Sequence, residues 1–198
     1  MISSSLKQPI IHRYVSNYRG LSSLTWEGIS ISFIESTLIG ICYFISLYFV
    51  GVLHLSIANA GMIMSCYGIG TIFGGSIGGT LSDLMSPRIV SIGNLLLQSI
   101  GFFTLMAANS PYILMIALLI IGFGSYGFIT SNHTWTLLHS QQNQRLKTIN
   151  ILDASSNLGL GISGVIISLL SMESFHKLFL IAGVTLLSLT AYLALKYD

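Results

Sequence analysis

The stretch Tyr67–Arg88, YGIGTIFGGSIGGTLSDLMSPR, decides how the rest of the chain is read. It is apolar and glycine-rich, and it ends abruptly in Ser82, Asp83, Ser86, Pro87 and Arg88. Gly70, Gly74 and Gly78 recur every four residues, and Gly75 and Gly79 repeat the interval one residue on. On a helix this spacing leaves a groove without side chains, into which a neighbouring backbone can settle. The carboxylate and guanidinium beyond it stand five residues apart across a proline turn. Two readings stand side by side. One is a set of helices that slide or rock against each other beside a polar latch; the other is a tight helix pair with a solvated turn.

The surrounding chain is as apolar as this stretch. Hydrophobic residues make up 53% and charged residues 7%, with a mean hydropathy of +0.80. A soluble domain carries about 25% charged residues, so this chain cannot cover a water-facing surface and lipid must be its main solvent. The net charge of +2 comes with no basic cluster of the kind that binds nucleic acid. Cys42 and Cys66 fall inside apolar runs and read as buried thiols rather than a disulfide. Residues 1–25 are polar and mixed and show no signal peptide.

A helix that crosses a bilayer needs roughly 20 apolar residues. Six runs qualify: Trp26–Val50, Ser56–Leu81, Ile89–Ala108, Tyr112–Ser131, Thr148–Ser171 and His176–Ala194. They are too long for strands and lack the alternation of a barrel, and unpaired backbone cannot face hydrocarbon. The expected fold is therefore all-α: a polytopic membrane protein with a six-transmembrane-helix bundle over 26–195, a tail at 1–25 and a short end at 196–198. Its links are short except for a polar stretch, His139–Lys147, and short links imply antiparallel neighbours. In the tail, Ile10, Ile11, Tyr14 and Tyr18 are placed either at the membrane interface beside Arg13 and Arg19 or in a disordered leader.

Basic residues set the orientation. Lys7, Arg13, Arg19, Arg88, Arg145, Lys147 and Lys196 fall on one side of six spans, and only Lys177, beside Glu173, falls on the other. The positive-inside rule then makes both termini cytoplasmic.

Gly79, Leu81, Asp83 and Arg88 match in place the loop signature G-x-L-A-D-R-x-G-R-K, and the run from Phe49 through Leu81 leads into it as a first-to-second helix passage. On these residues the chain resembles the major facilitator superfamily, and the resemblance covers nearly all of the chain after Leu24 but only the first half of a usual member. Leu84, Ser86 and Pro87 depart from the signature. The resemblance implies one half of a bacterial inner-membrane carrier that moves a small solute by alternating access, commonly coupled to protons, with the solute held between two six-helix halves. The second half would be a copy of this chain or a separate partner. It also implies that Gly79, Leu81, Asp83 and Arg88 form a cytoplasmic gate, with the aspartate at a helix N-terminus of the opposite half. The fifth span keeps Gly161 and Gly164 of an antiporter signature, G-P-x-x-G-G, but has Ile162 and Val165 at its proline and last glycine. An arginine of proton antiporters is absent from the fourth span, where Leu118 stands. The rival reading is a truncated remnant or a membrane interaction subunit that transports nothing.

Glu35 lies about a turn from the middle of the first span, on a stripe with Gly28, Ser32, Ile39, Cys42 and Ser46. A charge at that depth costs several kcal/mol, so the side chain must face the bundle or water, or be protonated. It is either a proton-binding group beside a cavity or an acid hydrogen-bonded to a neighbouring helix. Asp153, on a stripe with Asn150, Asn157, Gly161 and Gly164, is the second membrane acid. It is expected to pair with Arg88 or Arg145, with a coupling role as the alternative. Tyr43, Asn94, Gln98, Tyr126 and Asn157 are candidate solute contacts, against the alternative of interhelical hydrogen bonds. Asn132-His133-Thr134 forms a glycosylation sequon on the predicted cytoplasmic side and is set aside; Trp26 and Trp135 are assigned to the interfaces. An enzyme is disfavoured, since Ser125 has no histidine at its depth. No metal-ligand spacing or cofactor motif is present.

Overall fold

The computed structural model describes residues 20–169 and 174–196. These form six membrane-length helical spans and, among the described residues, no strand. The first span is broken: α1 (Ser23–Tyr43) stops at Phe44, and a short α2 (Ile45–Gly51) completes the crossing. The other spans are α3 (Ile57–Leu84), α4 (Pro87–Met106), α5 (Pro111–Leu138), α6 (Arg145–Leu169) and α7 (Phe175–Leu195). The interfacial role read for the tail, with the basic residues Lys7, Arg13 and Arg19, falls outside the described residues, as do Glu173 and the last two residues.

Local chemistry sets the helix starts. The Ser22 hydroxyl accepts from the Thr25 N–H at 3.1 Å, and that of Ser56 from the Asn59 N–H at 3.2 Å, each occupying one of the first-turn donors that no intrahelical carbonyl reaches. Proline opens α4 and α5, where its missing N–H costs nothing. Two links are shorter than expected. Asp83 lies in the last turn of α3 rather than in a loop, with only Met85 and Ser86 before α4. The polar link after α5 folds into a short 3-10 turn at Gln142–Gln144 and passes directly into α6.

The spans are antiparallel and centred on α5, which packs against α3 and α4; α1 lies on α6, and α4 on α7. The α3–α5 pair follows from the glycines. A Cβ at Gly70 would meet the Leu119 carbonyl, and one at Gly74 the backbone of Phe123. Only hydrogen side chains let the two backbones approach this closely. Phe49, Phe102, Phe128, Phe179, Leu118 and Leu186 fill the interior. Ile72, Phe73, Leu97, Ile116, Leu119 and Leu180 stay outside, as expected of a chain whose solvent is hydrocarbon. Cys42 is buried; Cys66 is only partly so, against expectation, and both are free thiols.

One end of the bundle gathers the starts of α1, α4 and α6 with the ends of α3, α5 and α7. The Ser22 hydroxyl donates to the His139 carbonyl at 3.0 Å, and the Ser140 and Thr148 hydroxyls are 3.0 Å apart. Arg88, Arg145, Lys147 and Lys196 fall at this end, and Lys177 at the other.

Candidate functional site

Two polar centres lie along α1, one in the membrane interior and one at the basic end. The inner centre is Glu35, 1% exposed. Its Oε1 accepts from the Ser125 hydroxyl of α5 at 3.2 Å, and its Oε2 from the neighbouring Ser36 at 3.4 Å. The Gln98 amide of α4 lies alongside the carboxyl but outside ideal hydrogen-bond geometry. Tyr67 of α3 reaches the same cluster, its buried hydroxyl beside Ser125 and outside ideal hydrogen-bond geometry. Glu35 makes no ion pair among the described residues.

Sequence spacing places this carboxyl inside the bundle. Gly28, Ser32, Glu35, Ile39 and Cys42 are all buried along one face of α1. That face meets α5 through Asn132, whose Nδ2 donates to the Gly28 carbonyl at 3.0 Å and to the Ser32 hydroxyl at 2.8 Å. The sequon asparagine is thus an interhelical bridge. On the outer side of this cluster Tyr43, half-exposed, stands edge-on to Tyr67 with 6.2 Å between centroids.

The other predicted site residues separate into groups. Tyr126, 40% exposed, lies on the open side of α5, and Asn157 is exposed on α6. Asn94 and Gln98 are buried. The Asn94 Nδ2 donates to the Val90 carbonyl at 2.9 Å, and its side chain lies against Gly127, inside the α4–α5 contact. Asp153 is exposed and makes no ion pair among the described residues; the expected pairing with Arg88 or Arg145 does not form, because Arg88 turns to α1 instead. His133 lies within electrostatic reach of Asp153.

At the basic end, Gly79 and Leu81 lie on the outer side of α3, where Leu81 is exposed and a Cβ at Gly79 would meet nothing within 4 Å. Asp83 is exposed, with no ion pair among the described residues. Arg88 is buried: its Nη2 lies 3.5 Å from Glu27 Oε1 and 3.5 Å from the Leu193 carbonyl, and its guanidinium stands 5.1 Å above the Trp135 ring. Lys196 donates to the other Glu27 oxygen. That hydrogen bond, followed by one to Tyr192, raises the lysine above its ordinary range. Glu27 therefore joins α1, α4 and α7 at their ends. Sequence reasoning missed it; its place near the start of α1, on the side rich in basic residues, was the available signal.

The family model for the Major Facilitator Superfamily matches residues 28–197. Comparison with individual curated proteins gives no significant match.

Proposed function

The chain belongs to the Major Facilitator Superfamily, a family of membrane transporters, and we propose that it forms one wall of a solute carrier that works by alternating access and is coupled to protons through Glu35. The observation that carries this reading is the Glu35 carboxyl, enclosed at membrane depth with two hydroxyls for partners and no countercharge among the described residues. A carboxyl so placed is tolerable when neutral and costly when charged. Its protonation is therefore tied to whether the surroundings are closed or wet, which is what an alternating carrier changes.

The half-exposed Tyr43 and Tyr126 make the polar wall nearest this acid and, with Asn157, are the solute-facing groups. Gln98 supplies an amide behind them. Asn94 joins the set only if the α4–α5 contact opens. Asp153 is a second ionisable group on an open face. The opposing wall comes from a second six-helix unit, a copy of this chain or a separate partner. Gly79, Leu81, Asp83 and Arg88 form the gate on the side facing the cytoplasm: Asp83 is uncommitted and can meet a helix N-terminus of that second unit, while Arg88 anchors the loop to α1. The positive end faces inward in a bacterial plasma membrane.

Proteoliposomes carrying a pH-sensitive dye test the coupling. Wild type is expected to move protons when a transported solute, found from a panel of small solutes, is added. Glu35→Gln is expected to lose proton movement while retaining solute binding; wild-type coupling in that variant removes the proposal. The second reading, a subunit or remnant without transport, is favoured by the departures at Leu84, Ser86 and Pro87. It predicts no solute-driven proton movement in wild type, and a strictly monomeric detergent-solubilised particle would eliminate the homodimer form of the carrier.

A further inference from the structure

We propose that the cavity at the basic end, between the start of α4 and the ends of α5 and α7, binds the phosphate of an anionic phospholipid. The cavity holds about 620 Å³. Arg88, Lys196, Ser86 and His139 contribute its polar lining, and Trp135, Leu138, Leu24 and Pro87 its apolar lining.

The polar side is loosely paired: Glu27 Oε1, 3.5 Å from Arg88 Nη2, accepts no hydrogen bond among the described residues. Arg88 is 8% exposed, and its Nε has no hydrogen-bond partner among the described residues. Its Nη2 contacts are long, both 3.5 Å, so a fork of five donors is poorly used. Glu27 is a single carboxylate shared between two cations, Arg88 and Lys196, which leaves one positive charge in excess among the described residues. Beside them, α4 starts at Pro87, and its N-cap residue Ser86 makes no side-chain capping bond. The first amides of that helix lack a side-chain acceptor and present the positive end of its dipole. A phosphate accepts from a guanidinium, an ammonium and helix-terminal amides at once.

The position in the bundle selects the source of that phosphate. The cavity lies where membrane-spanning helices end, at headgroup depth, with Leu138 62% exposed along its rim to lie beside an acyl chain. Trp135 is at the depth where indole prefers to sit. Basic pockets between spans at this level suit anionic headgroups. A zwitterionic lipid brings the same phosphate with a tethered ammonium, which the excess positive charge disfavours.

The test uses the full chain, delipidated in detergent and offered equal amounts of phosphatidylglycerol and phosphatidylcholine, with bound lipid counted by native mass spectrometry. Wild type is expected to retain phosphatidylglycerol in about fivefold excess, the ratio given by one basic side chain near an anionic surface. Leu138→Trp fills the cavity rim without touching a charge, and Lys196→Ala removes an exposed cation; each is expected to bring the ratio toward one. Equal retention by wild type overturns the proposal, as does an excess that persists in both variants. Inorganic phosphate at millimolar concentration displacing the bound phosphatidylglycerol would reassign the cavity to an aqueous anion and overturn the lipid assignment; failure to displace it supports the lipid.

Discussion

Helix α3 carries glycines on two faces, and the two have opposite surroundings. Gly70, Gly74 and Gly78 are buried, and a Cβ on any of them would run into α5, mostly into its backbone. Gly61, Gly68 and Gly79 would meet nothing within 4 Å, and Gly75 only the edge of Tyr126 at 3.9 Å. The first face explains itself: its glycines let two backbones approach. The second has the same lack of side chains and nothing in contact. In the carrier proposed here, that open face is where the second six-helix unit packs. On that proposal, the comparison separates glycines that let the bundle fold from glycines left open for a partner.

The largest effect expected is at Gly74. Gly74→Ala places a methyl against the Phe123 backbone, which cannot move as a flexible side chain can. The cost is about 3 kcal/mol, the upper part of the range for overpacking, read as a lower unfolding midpoint in detergent micelles. Gly122→Ala should do the same from the other helix, since its methyl would meet the Tyr67 backbone. A smaller loss is expected at Gly183, whose obstacle is the Phe103 ring at 2.8 Å rather than backbone. A side chain can turn away, so about 1 kcal/mol is expected for Gly183→Ala. If Gly74 and Gly183 cost the same, the type of neighbour is not what sets the scale.

The same distinction explains what the sequence could show. Six spans were legible because hydrophobic length is a property of one segment, and each helix overlaps its predicted run. The fourth and fifth extended further into the polar link than hydropathy indicated, since α5 runs to Leu138 and α6 begins at Arg145. Hydrogen bonds carry a helix past the point where apolar residues stop. The break at Phe44 had no proline or glycine to announce it. The glycine groove was legible, but not which helix fills it, because that is a relation between two segments.

The candidate site divides the same way. The stripe through Glu35 correctly put the acid with Ser32 and Gly28, because helical spacing is local. Its partner Ser125 reads from sequence only as a nucleophile, and the approach of Gln98 and Tyr67 to the same cluster cannot be foreseen from three separate helices. Arg88 was visible as a charge in a loop; that it would turn to Glu27 rather than Asp153 depends on how α1, α4 and α7 converge.

The smallest effect on folding, and the most informative about function, is expected at Gly79. Gly79→Ala adds a methyl where the single chain offers no obstacle, and alanine is favoured over glycine within a helix by up to about 1 kcal/mol. The unfolding midpoint should stay unchanged or rise slightly. If a second six-helix unit packs on this face, Gly79→Leu should leave the bundle folded yet weaken association, seen as a loss of the larger species when particle mass is measured in detergent, and solute-driven proton movement should fall with it. Two results would break the distinction. A folding loss at Gly79 as large as at Gly74 would mean that the open face is already occupied within the folded bundle. Unchanged mass and unchanged transport in Gly79→Leu would mean that no close-packing partner uses it, and that the opposing wall of the carrier meets this unit elsewhere.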